Sequence, residues 1–126
     1  MRENSNTPLA PCPSSPNCVS SQASDAGHRV EPFALRVPGA EAWGAAKRAV
    51  EAMPRTRIVD ERPGYLRAEA TSLLFRFVDD LELALAEDGR RLDVRSASRV
   101  GYSDLGANRK RVETLRTALR TAGVVE

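Results

Sequence analysis

From Arg29 to Val37 the apolar side chains fall on alternate positions, with Phe33, Leu35 and Val37 on one side, the period of a strand with one buried face. Pro38-Gly39 interrupts it. Trp43, Ala46, Val50 and Met53 are then spaced three and four apart, which predicts an amphipathic helix over Glu41 to Met53 that Pro54 stops. Ile58-Val59 is a short strand candidate, and Arg62-Pro63-Gly64 is a turn. Tyr65 to Thr71 alternates again, with Leu66, Ala68 and Ala70 facing one way. The longest strand signal runs from Phe75 to Ala86, where Phe75, Phe77, Leu81, Leu83 and Leu85 share one parity. Asp88-Gly89 is a two-residue hairpin signal, and Arg91 to Val100 returns with Leu92, Val94 and Val100 in the matching parity. Asn108 to Ala122 carries a helical stripe of Val112, Leu115, Leu119 and Ala122. Gly123 is placed to end that helix, and Ser103 or Asp104 to cap its start.

Strands joined by short turns pair antiparallel, and each amphipathic helix needs a surface for its apolar stripe. The predicted fold class is therefore α+β, a two-layer sandwich in which an antiparallel sheet of four to five strands carries two helices on one face. The 126 residues suit a single domain. Its core is expected over 28–123, preceded by an extended Ser- and Pro-rich arm over 1–27. A loop at Asp88-Gly89 also sets the hairpin register, with Leu85 facing Leu92, Leu83 facing Val94 and Glu82 facing Arg95. On the core side it sets Leu81 against Ser96 and Asp79 against Ser98, so the buried face turns polar towards its far end.

Composition adds a few limits. A formal net charge of +2 gives no reason to expect nucleic acid as a partner. The charge is uneven, however: Asp60 to Asp93 holds nine acids and five bases, and Arg95 to Arg120 two acids and seven bases. That favours a solvated helix face or a small anionic ligand. No apolar run reaches the length of a membrane-spanning helix, and Met1 to Ala10 has no apolar leader. By that criterion the expected compartment is the cytoplasm, unless an export signal was cut away.

The polar end of the hairpin leads into Val100–Arg111, the densest polar segment. A carboxylate buried there needs donors; Ser98, Ser96, Arg99 and the following loop supply candidates for Asp79. Two readings stand side by side: a satisfied network that fixes the 101–108 loop and the last helix, or the lining of a pocket. Gly101 and Gly106 shape the connection, while Arg109 and Lys110 lie near free amides of a helix start, a combination that suits a carboxylate or phosphate. The candidate binding residues are Asp79, Ser96, Ser98, Arg99, Tyr102, Asp104, Asn108 and Arg109. The leading expectation is a non-enzymatic binding or interaction module with a polar, cationic site at 96–109. Its rival is a hydrolase-type enzyme using Asp79 or Asp104 as base with Ser98 or Tyr102. No nucleophile–base pair is evident, and His28, the only histidine, reads as a packing or hydrogen-bonding residue. Neither a cofactor nor a metal is expected. Cys12 and Cys18 are too few for a closed zinc site; they form a disulfide in an oxidising compartment and free thiols in a reducing one.

Three separated stretches carry a resemblance: Cys12-Pro-Ser-Ser-Pro-Asn-Cys-Val-Ser-Ser-Gln22; Ala68-Glu69 with Phe77-Val-Asp-Asp-Leu-Glu82; and Val94-Arg-Ser-Ala-Ser-Arg-Val-Gly-Tyr-Ser-Asp104 with Gly106-Ala-Asn-Arg109. In this order, from about Leu9 to Leu119, the chain closely resembles the domain of unknown function numbered 1499. The resemblance brings no established activity or catalytic residue. It implies that the arm belongs to the folded domain, and it points to an exported or envelope-associated location. It also suggests a third role, a structural accessory protein of a cell-envelope complex, with an envelope protein as partner.

Overall fold

The structure, a computed structural model, describes residues 9–126. Its elements run β1 (Cys18–Ser20), β2 (Phe33–Ala34), α1 (Gly39–Glu51), β3 (Thr56–Arg62), β4 (Tyr65–Thr71), β5 (Val78–Leu85), β6 (Arg91–Ser98) and α2 (Ala107–Thr121). All strand pairs are antiparallel, in the order β1-β6-β5-β4-β3, with β2 also paired to β6. Alternation puts Leu66 and Ala68 of β4, Leu81 and Leu83 of β5, and Leu92 and Val94 of β6 on one face. Ala42, Ala46 and Val50 of α1 and Val112, Leu115 and Leu119 of α2 pack on them in a single core. Each large apolar side chain so buried contributes roughly 1.5–3 kcal/mol. The α+β architecture, an antiparallel sheet with two helices on one face, is thus the one the periodicity predicts.

The sheet has six strands, more than the four to five expected, because the arm supplies β1. Ser21 extends that contact: its amide donates to the Val94 carbonyl at 2.8 Å, and its hydroxyl accepts from the Val94 amide at 3.0 Å. Val19 is buried in the core, and a Cys12–Cys18 disulfide closes the turn before it. The part of the arm before Leu9 lies outside the described residues.

Three strands are shorter than their patterns; the one expected to reach Val100 ends at Ser98, and Val100 is exposed. The expected strand over Arg29–Val37 pairs with β6 only at Phe33–Ala34. Pro32 has no amide to donate, and beyond β2 the chain turns to the C-terminal segment, where the Arg36 amide donates to the Val124 carbonyl at 2.8 Å. The strand expected from Phe75 begins only at Val78. Ser72 and Phe77 instead close a loop: the Ser72 amide donates to the Phe77 carbonyl at 2.8 Å, and the Phe77 amide to the Ser72 hydroxyl at 2.9 Å. Past Leu81 the core face reaches the polar Asp79, so Phe77 and Phe75 have no apolar layer to meet.

The hairpin register is the expected one, with Glu82 opposite Arg95 and Asp79 opposite Ser98. Its turn is wider than two residues. The Ala86 amide donates to the Arg91 carbonyl at 3.0 Å, the Gly89 amide to the Ala86 carbonyl at 2.9 Å, and Gly89 adopts φ +70°. Widening the loop by one residue on each side leaves every later pair unchanged. At the C-terminal end of α2, Gly123 at φ +77° donates to the Arg120 carbonyl and Val124 to the Leu119 carbonyl, the paired bonds of a Schellman ending.

Candidate functional site

Where β5 and β6 run out of apolar core residues, the core face becomes a hydrogen-bonded cluster. Ser96 and Ser98 share a face of β6, Asp79 lies opposite Ser98 on β5, and α2 brings Asn108 and Arg111 over them. Asn108 is wholly shielded from solvent. Its amide oxygen accepts from the Ser96 hydroxyl at 2.7 Å and from Arg111 at 2.8 Å. Its amide nitrogen donates towards the Asp104 carboxylate at 2.7 Å, the Ser98 hydroxyl at 2.9 Å and the Asn17 carbonyl at 3.2 Å. Arg111 also reaches Asp79 at 2.9 Å and the Ser96 hydroxyl at 3.1 Å. The carboxylate that burial would otherwise penalise therefore has a guanidinium partner.

Asp104 covers the start of α2. It accepts from the backbone amides of Gly106 at 2.8 Å and Asn108 at 3.1 Å. Burial pushes its carboxyl up, but the Asn108 side chain and these amides outweigh it and hold it below the usual aspartate range. Two amides that an external anion would use are thus taken by the chain's own carboxylate. Asn17 locks the loop from the arm side, donating from its side chain to the Gly101 carbonyl at 2.7 Å, while its own carbonyl accepts from the Ser98 amide at 2.9 Å.

Asp79, Ser96, Ser98, Asp104 and Asn108 therefore come together; Arg99, Tyr102 and Arg109 do not join them. Arg99 follows Ser98 and so points to the opposite sheet face. There it binds Asp80 at 2.9 Å and the carboxylate of Glu69, and Arg67 also holds Asp80 at 2.9 Å. The Arg99 hydrogen bond keeps the carboxyls of both Asp80 and Glu69 below their ordinary range. Tyr102 is exposed, and Arg109 ties the arm down by donating to the carbonyls of Arg29 and Gly27. Arg111 and Asn17 are the members of the cluster that the sequence reading missed. The spacing of Asn108 and Arg111, three apart on one helix face, was the available signal for the first; nothing local marks the second.

His28 is not set in a Ser–His–Asp arrangement. His28 holds Asp25 at 2.7 Å, but its other ring nitrogen meets the Ser15 carbonyl at 2.8 Å, not a serine hydroxyl. Among the described residues no group of His, Cys, Asp and Glu is arranged to hold a metal ion, and no helix is long and apolar enough to cross a membrane.

The same end of the sheet has a second character. The 72–77 loop precedes β5 and the 99–106 segment follows β6, and their bases touch, since the Arg99 amide donates to the Val78 carbonyl at 3.2 Å. These two segments carry Leu73, Leu74, Phe75, Phe77, Val100, Tyr102 and Leu105, all the large apolar side chains that stand exposed among the described residues. Phe75 and Phe77 stack with ring centroids 5.7 Å apart. Beside the first loop a recess of about 250 Å³ is lined by Arg55, Arg57, Arg76, Glu69 and Thr71.

A family model described as a protein of unknown function (DUF1499) matches residues 8–119, nearly the whole chain. The protein belongs to the DUF1499 family. No curated protein and no solved structure matches it. Membership covers the arm from residue 8 onward as well as the sheet and most of α2, so the DUF1499 match includes both the buried cluster and the two apolar loops.

Proposed function

We propose that this DUF1499 domain is a non-enzymatic interaction module whose contact surface is the end of the sheet carrying the 72–77 and 99–106 segments. One observation carries the reading: the exposed large apolar side chains of the described residues all lie on these two adjoining loops. Apolar groups concentrated in one patch mark interaction surfaces, whereas scattered ones need no explanation. The buried cluster of Asp79, Ser96, Ser98, Asp104, Asn108 and Arg111 then acts as a brace. It ties the root of the 99–106 loop to α2 and to Asn17 of the arm, so that the loop is presented in one conformation.

Two alternatives are weaker on the same grounds. A hydrolase needs a nucleophile whose proton a base can take. The Ser96 hydroxyl donates to the Asn108 amide oxygen, the Ser98 hydroxyl accepts from the Asn108 amide nitrogen, and Tyr102 stands exposed outside the cluster. A small anion bound at 96–109 needs donors to spare, and Asp104 already occupies the Gly106 and Asn108 amides. A role as an accessory to a larger envelope assembly is compatible with the proposed surface.

The test is site-specific photo-crosslinking in cells that naturally produce the protein. A photoreactive residue at Phe75 or Tyr102 is expected to give discrete adducts, and one at Asp88, on the exposed turn at the other end of the β5–β6 hairpin, is not. Adducts from Asp88 as abundant as those from both loop positions, or none from the loops, would remove this end of the sheet as the contact surface.

A further inference from the structure

We infer that the partner at this surface is an anionic phospholipid bilayer, which the two loops enter at headgroup depth. The inference rests on the interaction surface proposed above and names what it contacts. Its first support is shape. Leu73, Leu74, Phe75, Tyr102 and Leu105 are 71–96% exposed, so they protrude from the scaffold instead of lining a groove. Protruding tips suit a yielding medium, whereas a folded partner would have to supply a matching hole for each.

Charge is the second support. Arg76 at the loop tip, Arg55 at the adjoining sheet corner and Lys110 in the first turn of α2 are exposed and have no acidic partner among the described residues. Arg57 keeps only a loose contact of 3.9 Å with Glu69. Of the acids nearby, Asp79 is paired with Arg111, and Asp80 and Glu69 with Arg99; Asp104 keeps its charge at the start of α2, where it accepts from Asn108 and two backbone amides. The apolar tips are thus rimmed by a net positive charge, the pattern by which interfacial proteins combine shallow apolar insertion with attraction to anionic headgroups. The recess beside Arg55, Arg57 and Arg76, which Glu69 and Thr71 also line, lies at the base of the inserting loop and holds more basic than acidic groups.

The backbone limits the depth. Irregular backbone is not tolerated in the hydrocarbon core because its polar groups go unpaired. The Ser72–Phe77 bonds that close the first loop, and the Leu105 amide donating to the Ser103 hydroxyl at 3.2 Å, satisfy a few of these groups. That fits entry by side chains at the interface and no further.

The test is co-sedimentation of the chain with vesicles of phosphatidylcholine alone and of equal parts phosphatidylcholine and phosphatidylglycerol, at low salt. The wild-type chain is expected to pellet with the mixed vesicles and at least fivefold less with the neutral ones. Phe75→Ser with Leu105→Ser is expected to abolish pelleting while melting normally. Arg57→Gln with Arg76→Gln is expected to reduce binding to mixed vesicles roughly fivefold per charge and leave binding to neutral vesicles unchanged. Absence of binding to mixed vesicles, or equal binding by the Phe75/Leu105 variant, overturns the inference. If vesicles fail while crosslinks from Phe75 or Tyr102 capture a protein, the lipid assignment falls and the contact surface stands. If the loop positions crosslink to nothing as well, both fall.

Discussion

The Ser96 hydroxyl and the Asn108 amide oxygen lie 2.7 Å apart with neither residue exposed to solvent. This bond joins β6 to α2 at the level where the apolar core ends. Around it Arg111, Ser98, Asp104 and Asn17 use the remaining hydrogen-bonding capacity of Asn108. A network this complete keeps a single arrangement of strand, loop and helix.

Removing its centre is therefore costly. Asn108→Ala leaves the Ser96 hydroxyl and Asp104 short of a partner, and stability should fall by about 3 kcal/mol in urea denaturation. Arg109→Ala, one position on but exposed and bonded only to loop carbonyls, should cost less than about 1 kcal/mol. Equal losses for the two would show that the buried cluster does not brace the fold.

The Asp79–Arg111 pair gives a second measurement. Arg111→Met keeps much of the apolar stem but strands a carboxylate whose side chain is only 11% exposed. We expect a loss of about 2–4 kcal/mol, close to the range for breaking a buried pair. Adding Asp79→Leu should recover at least half of it, because the penalty lies mainly in the unpaired charge. A double-mutant cycle with no coupling would contradict this account.

Substitutions on the loop tips should behave in the opposite way. Phe75→Ser and Leu105→Ser replace side chains that already face water, so each should change stability by no more than about 0.5 kcal/mol. Solubility at high concentration should rise. A loss above about 2 kcal/mol for either would mean the loops are packed instead of presented.

Reducing the Cys12–Cys18 disulfide releases the turn from Cys12 that leads into β1 at Cys18. The chain-entropy cost regained by the unfolded state is about 2 kcal/mol. Melting with and without reductant measures it. Hydrogen exchange should accelerate first at Val19 and Ser20, whose strand contact the clip supports, with Leu81 and Leu83 unaffected until global unfolding.

His28 makes the arm sensitive to pH. The Ser15 carbonyl, and then the Asp25 carboxylate, raise the imidazole above its ordinary 6.5. A raised folded-state value means the protonated ring stabilises the fold fully below about pH 6.5. That contribution is lost as pH climbs through the folded-state value. The stability difference between wild type and His28→Gln should therefore be largest in mild acid and shrink towards pH 8. A difference independent of pH would show that the contacts do not depend on the charged ring.

Much of this was legible along the chain. The strand Tyr65–Thr71, both helices and the β5–β6 register depend on side-chain period and on one Gly-containing turn, which are local properties. So did the expectation that Asp79, Ser96 and Ser98 share the core face, since alternation alone puts them there. Tertiary structure decided the rest. Phe75 and Phe77 carry the parity of a buried strand, yet at that end α2 presents the polar Asn108 and Arg111 to the sheet, and an apolar period cannot report where its apolar covering layer stops. Arg99 and Ser98 are neighbours in the sequence, but the pleat sends Arg99 to Asp80 and Glu69 on the other face. Arg111 and Asn17 entered the cluster only when α2 and the arm met over β6. Burial and pairing depend on what lies across space, and no period along one chain segment contains that.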